Sequence, residues 1–455
     1  PSFLVKRGSE KGAKKPLRRT ALQGGRGRRR AAAMGRVLVN ALTPQRRLHN
    51  LYNSNPRDAK LSAVCYRAYL GKNTHRTKFL WVRLYRMLLY LIWERVTIDA
   101  GILSSNAKKV GEPDTMRLSR YSDGQSVVLD TSTPLGKGGE ARVFKVRSAP
   151  SLVAKMYHEP TPEQIQKLHV MLANPPEDPT RASGHLSIAF PTDLLTLPSD
   201  KQKVVGFLMP KAESVVPIFH YYNPSIRRQE HPLVNPLYLH RMGRNLASAV
   251  RALHARGYVI GDVNETNILA TDTALITLVD TDSFQVRSTQ EGRLYRCRVG
   301  RLEFTPPELQ GRVFIEADRL PEHDLFGLGV VLFQLLMEGT HPFSGVYLGT
   351  GEPPPYEARI QEGSFPYGTR RGAYRPMPVA PAFETLHPTL RQLFLRCFED
   401  GFANPSARPD AQTWQNALAE AEADLIPCTK NEQHRYSKHL SLCPWCERTQ
   451  LLKGR

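Results

Sequence analysis

Between Leu253 and Asp282 the chain reads LHARGYVIGDVNETNILATDTALITLVDTD, in which a helix end, a turn-rich loop and a short apolar strand follow one another closely. The strand pattern of Leu275, Ile276, Leu278 and Val279 delivers Asp280 to its C-terminal edge. The loop upstream presents Asp262, Asn264, Glu265 and Asn267. A hairpin at this spacing brings Asp262, Asn267 and Asp280 to one end of one small sheet. Such a cluster of carboxylate and amide oxygens suits magnesium, which binds hard oxygens and keeps places for phosphate and water.

Charge divides the chain unevenly. The formal net charge is +21, and residues 1–115 hold 25 Lys and Arg against 6 Asp and Glu, leaving 38 against 36 for the rest. Residues 1–34 are a basic leader too poor in apolar residues to bury a core, and disorder is expected there. This leader is the part that would attract nucleic acid or an anionic surface. Residues 35–115 read as a helical or poorly ordered extension, and Met116 opens a segment of different character. The most apolar run, Phe79 to Trp93, is broken by Arg83 and Arg86, so no transmembrane segment is expected. Six cysteines without a dense framework favour a cytoplasmic location.

Leu135 to Val146 reads LGKGGEARVFKV, with Gly136, Gly138 and Gly139 allowing backbone N–H groups to approach phosphate. ARVFKV alternates as a strand rather than a helix, which opposes a Rossmann reading, and the spacing of a P-loop is absent. Thr161 as N-cap and Pro162 at the first position open a helix through TPEQIQKLHVMLA. Val204 to Pro210 reads as a buried strand. Leu239, Met242, Leu246, Ala249, Val250 and Leu253 share one helical face and are assigned to the core.

In this order the segments resemble the eukaryotic-type protein kinase domain. Gly136, Gly138 and Val143 stand in the pattern of the glycine-rich loop, and Leu152-Val153-Ala154-Lys155 in that of the V-A-I-K strand. Asp262 to Asn267 resembles the catalytic loop, and Asp280-Thr281-Asp282 the D-F-G triplet. Gly300, Phe304, Pro307 and Glu308 resemble the end of the activation segment, Asp324 the aspartate that supports the catalytic loop, and Arg408 the arginine that pairs with Glu308. The departures are Ile260 and Gly261 for His and Arg, Asn264 for Lys, and Thr281-Asp282 for Phe-Gly. More narrowly, GDVN, DTDSFQ and CPWC look like a bacterial family pairing a kinase-like domain with a helix-hairpin-helix DNA-binding module, although no such module is discernible here.

The resemblance implies an α+β, bilobal kinase-like fold over residues 116–425, with a small β-rich lobe and a larger helical one. It implies ATP and Mg2+ as cofactors and a protein Ser/Thr hydroxyl as acceptor. Lys155 is expected on the α- and β-phosphates, held by Glu163 or, failing that, Glu159. Met209 is expected at the adenine pocket, with Asn267, Asp280 and Asp282 on magnesium, Asp262 as base and Asn264 beside the transferring phosphate. The alternatives are a pseudokinase, a nucleotide-binding scaffold that transfers nothing, and a nucleic-acid-associated adaptor.

Residues 426–455 carry Cys428, His434, Cys443 and Cys446, three thiols and an imidazole with the Cys-x-x-Cys spacing of a knuckle. That set suits a structural Zn2+, with His439 a rival fourth ligand.

Overall fold

The computed structural model describes residues 114–453 except 371. The basic leader, the extension as far as residue 113, the Phe79–Trp93 run and Cys65 therefore lie outside the described residues. What is described belongs to one compact unit, Gly111–Arg455, of mixed sheet and helix.

Seven antiparallel strands come first: β1 (Thr115–Arg120), β2 (Ser126–Asp130), β3 (Gly136–Lys137), β4 (Ala141–Val146), β5 (Leu152–Tyr157), β6 (Asp193–Leu197) and β7 (Asp200–Pro210). Their order is β2-β1-β6-β7-β5-β4-β3, and β2 also pairs with β4, closing the sheet on itself. The side chains of Leu118, Leu129, Phe144, Ala154 and Leu208 fill the interior. Strand alternation sends Val153 and Tyr157 to the opposite face, into the main core. Gly206 of β7 lies against β5 so closely that a Cβ there would sit 2.3 Å from the Lys155 carbonyl, which only glycine tolerates.

Helix α1 (Pro162–Ala173) begins at Thr161, whose hydroxyl accepts from the Gln164 N–H while the Gln164 side chain accepts from the Thr161 N–H. After β7 the chain is mainly helical, with α2 (Pro236–Ala255), α3 (Pro321–Leu336) and α4 (Ala411–Ala423) as its longer members. The predicted apolar face of α2 is buried throughout and packs on α3 and α4. A small sheet joins β8 (Val216–Pro217), which precedes α2, to β9 (Ile268–Ala270) and β10 (Ile276–Leu278), which lie between α2 and α3 in sequence. Its β9–β10 hairpin pairs Ile268 with Leu278, and the Val279 N–H donates to the Asn267 carbonyl. The two ends that carry Asn267 and Asp280 are thereby brought side by side.

Candidate active site

A cleft of about 890 Å³ lies where the closed sheet meets the helical half, walled by the glycine loop, Val143, Val153, Lys155, Met209, Leu269 and Asp280. The loop is shaped by β3 pairing Gly136 with Val143 and by the Gly138 N–H donating to the Ala141 carbonyl. A Cβ at Gly139 would meet nothing within 4 Å, so the backbone there is open to a ligand.

Lys155 reaches the cleft because it shares a face of β5 with Val153 and Tyr157. Its Nζ lies 2.5 Å from both Asp280 Oδ1 and Asp282 Oδ1, and the Tyr157 hydroxyl donates to Asp282 Oδ2 at 2.8 Å. Burial disfavours the Lys155 ammonium, but the carboxylates of Asp282 and Asp280 outweigh it and hold the group above the ordinary lysine range. The Tyr157 phenol is raised by burial and by Asp282, so it remains a donor.

The expected pairing of Lys155 with Glu163, or with Glu159, is not made. Glu163 stands in the first turn of α1 at the edge of the cleft, where Arg298 and Arg293 take its carboxylate. Asp282 serves Lys155 instead, from within the loop that also carries Asp280. Asp280 itself adopts a left-handed backbone, φ 59°, at the start of a single 3-10 turn over Thr281–Ser283, which turns both carboxylates toward Lys155.

One loop away, Asn267 Nδ2 donates to Asp262 Oδ2 at 3.1 Å, while Asp262 Oδ1 is buried without a partner. Burial pushes the Asp262 carboxyl up, opposed by hydrogen bonding and by the nearby Arg301. Asn264, expected beside the transferring phosphate, is only 1% exposed and turned into the loop. Its Oδ1 accepts from the Thr266 N–H and hydroxyl, and its Nδ2 donates to the Asp262 carbonyl. A short amide that satisfies its own loop has nothing left for a ligand.

Asp324, near the head of α3, accepts from the Ile260 and Gly261 N–H groups at 2.7 Å each and lies 2.9 Å from His254 Nε2. Gly261 has φ +74°, and a Cβ there would come within 2.6 Å of Cys297, which accounts for glycine where protein kinases carry arginine. A buried arginine is nevertheless present: Arg319 donates to the carbonyls of Gly261 and Val299, tying the loop to the segment after Asp282. Sequence reading missed Arg319 and Tyr157, and it also missed Lys167. For Tyr157 the signal was available, since it lies two residues beyond Lys155 on one strand.

Glu308 and Arg408 meet in a two-point ion pair at 2.6 and 2.8 Å. Near the C-terminal end, the ligand atoms of Cys428, His434, Cys443 and Cys446 lie within 4.8 Å of one another, and His434 Nδ1 is 3.5–3.6 Å from two of the sulfurs. A tetrahedron with bonds of about 2.0–2.3 Å has edges of about 3.3–3.8 Å, so the donor set fits a metal ion. His439 is engaged elsewhere, by Ser437 and the Glu384 carbonyl.

No family model matches the chain. Protein kinase YegI of Escherichia coli O157:H7 is 36% identical over 320 residues, covering 69% of this chain and 48% of that protein. Protein kinase YegI of Escherichia coli strain K12 is likewise 36% identical over 320 residues, 69% of this chain and 47% of the relative. A PAS domain-containing serine/threonine-protein kinase of Mus musculus is 28% identical over 148 residues, 32% of this chain and 10% of its own length. The chain spans about half the length of the YegI proteins it matches. These likenesses support a kinase-like domain and do not show a helix-hairpin-helix DNA-binding module. Among the described residues no helix is long and apolar enough to cross a membrane.

Proposed function

We propose, from the premise of a kinase-like domain, that this chain transfers phosphate from ATP to protein Ser/Thr hydroxyls through a bilobal kinase-like fold. The observation that carries this reading is the convergence of Lys155, Asp280 and Asp282 beneath a glycine loop. Asp262 and Asn267 are hydrogen-bonded to each other one loop away. In this proposal residues 116–425 form the kinase-like domain, although β1 already begins at Thr115, and 426–455 form a zinc knuckle.

The residues present fit the cofactors. Asp280 and Asn267, with Asp282 beside them, offer the hard oxygens that magnesium selects. Gly136, Gly138, Gly139 and Val143 would cover the phosphates, Lys155 would hold the α- and β-phosphates, and Met209 would border the adenine. Magnesium-bound ATP supplies the transferable phosphoryl group and the neutralisation of its charge. Asp262 would take the substrate hydroxyl proton at its unpartnered Oδ1. Without a catalytic-loop lysine, turnover should be slow.

A scaffold that binds nucleotide without transfer is the second reading, favoured by the clamping of Lys155 between two carboxylates. Intact-mass measurement of phosphate incorporated from Mg-ATP, into the chain itself and into a generic Ser/Thr substrate, separates the two. Nucleotide binding with no incorporation above that of Asp262→Ala would establish the scaffold.

Metal analysis of the purified protein should find about one equivalent of zinc. Cys446→Ser should lose it and expose the chain beyond Pro427 to proteolysis, since a structural zinc site contributes its binding energy to local folding. A metal-free protein whose tail resists protease would remove zinc from the proposal.

A further inference from the structure

Helix α1 turns a buried lysine toward the cleft, beside an acid that other residues already hold. Lys167 is 8% exposed and lines the cleft together with Glu163 and Gln164, which lie four and three positions before it on the same face. Glu163 is taken by Arg298 and Arg293, and Gln164 by Thr161 and Glu140. Among the described residues Lys167 makes neither a hydrogen bond nor an ion pair. An ammonium buried without a partner is costly, and a lysine used only to cover apolar surface carries its head out to water. Lys167 instead has its head inside a cavity with room for an anion.

Charge balance shows what that anion needs. Lys155 is the other buried cation of the cleft, and Asp280 and Asp282 already engage it. Asn264 stands where a catalytic-loop lysine would meet the transferring phosphate, and its amide is consumed within its own loop. Of the other cations lining the cleft, Arg298 is held by Glu163, Arg296 by Asp318 and Lys211 by Glu213, and Lys137 stands exposed on the glycine loop, which leaves Lys167 as the buried cation there without a committed partner. Among the described residues no carboxylate lies within ion-pair distance of Lys167.

We propose that Lys167 is a second phosphate-binding lysine of this cleft, reaching the terminal phosphates of a nucleoside triphosphate from α1. Lys155 takes its carboxylates from Asp280 and Asp282 rather than from α1, and α1 offers the ligand a cation. The assignment rests on the nucleotide-binding reading of the cleft. Burial pushes the Lys167 ammonium down to about 8, against the opposing pull of Cys297 and Asp282, so in the empty cleft part of it is a reactive neutral amine near that pH.

The test compares the full chain with Lys167→Met and Lys167→Arg, measuring calorimetric affinity for ATP, ADP, AMP and adenosine in Mg2+. Lys167→Met should lose about ten- to hundredfold in ATP affinity, the scale of a charge-assisted hydrogen bond. Its adenosine affinity should be unchanged, and Lys167→Arg should keep most of the ATP affinity. Absence of any nucleotide binding by the unmodified chain would overturn the cleft reading itself. Unmodified chain and Lys167→Met binding ATP equally, or a loss that extends to adenosine, would overturn the lysine's role alone. A second measurement needs no variant: acetic anhydride labelling of the unmodified chain at pH 8, mapped by mass spectrometry. Mg-ATP should protect Lys167 and adenosine should not; labelling that is the same with and without Mg-ATP would overturn the assignment even if the methionine variant fails to fold.

Discussion

Asp262→Ala is expected to lower phosphoryl transfer by about 10²- to 10⁴-fold, the usual contribution of a positioned base, while Mg-ATP affinity changes little. Asp262 does not line the cleft; its neighbour in the hydrogen bond, Asn267, does. Its Oδ1 has no protein partner to lose, so on the proposed reading substitution removes the group that would meet the substrate hydroxyl. Asp280→Ala should behave differently. Asp280 faces the cleft, 42% exposed in its side chain, and shares Lys155 with Asp282. Its loss should weaken Mg-ATP binding first and transfer in consequence, although Lys155 remains held by Asp282. Separate measurements of nucleotide affinity and transfer distinguish the two variants. Equal loss of affinity in both would mean that Asp262 belongs to the binding set, and the assigned division of roles would fall.

Glu308→Ala and Arg408→Ala should each destabilise the fold by about 3–5 kcal/mol, the cost of leaving one member of a buried pair alone. The Arg408 side chain is fully buried, 0% exposed, against 27% for Glu308. Beyond the two-point pair, Arg408 donates to the carbonyls of Glu322 and Gly401, and its guanidinium lies over the Phe326 ring at 5.4 Å. Four donor contacts leave little room for another geometry. Arg408→Lys should therefore recover only a minor part of the loss, because an ammonium cannot reproduce the planar fork. Denaturant unfolding followed by circular dichroism provides the measurement. A loss below about 1 kcal/mol, as for an exposed pair, would show that the contact does not anchor this segment to the lobe.

The clustering of Asp262, Asn267 and Asp280 was legible because it is local. A hairpin of a few residues joins the two ends, the pattern of Ile268, Ile276 and Leu278 requires it, and strand pairing leaves Asn267 and Asp280 adjacent. The Cys428, His434, Cys443 and Cys446 set was legible for the same reason, since a knuckle brings its ligands together over short spacings. The Glu308 to Arg408 contact spans a hundred residues, and composition alone could not suggest it; it came from the ordered resemblance. Lys155 was placed on its strand by the resemblance to the V-A-I-K pattern, yet its partner was misread. Which carboxylate faces it depends on how far α1 lies from β5 and on the turn that Asp280 makes at φ 59°, and neither is a property of a short stretch of sequence.

The sequence by itself determined the order of elements, the residues that converge at the β9–β10 hairpin and the members of the Cys-His cluster, because backbone periodicity and short loop closure act over neighbouring residues. Only the tertiary structure decided the charge wiring of the cleft. Asp282 replaces Glu163 on Lys155, Asn264 turns inward, Arg319 closes over Gly261, and Lys167 is left buried without a partner. Each of these depends on which side chain is nearest after helix, sheet and loop have packed, and electrostatic pairing in a buried cleft follows that distance rather than position along the chain.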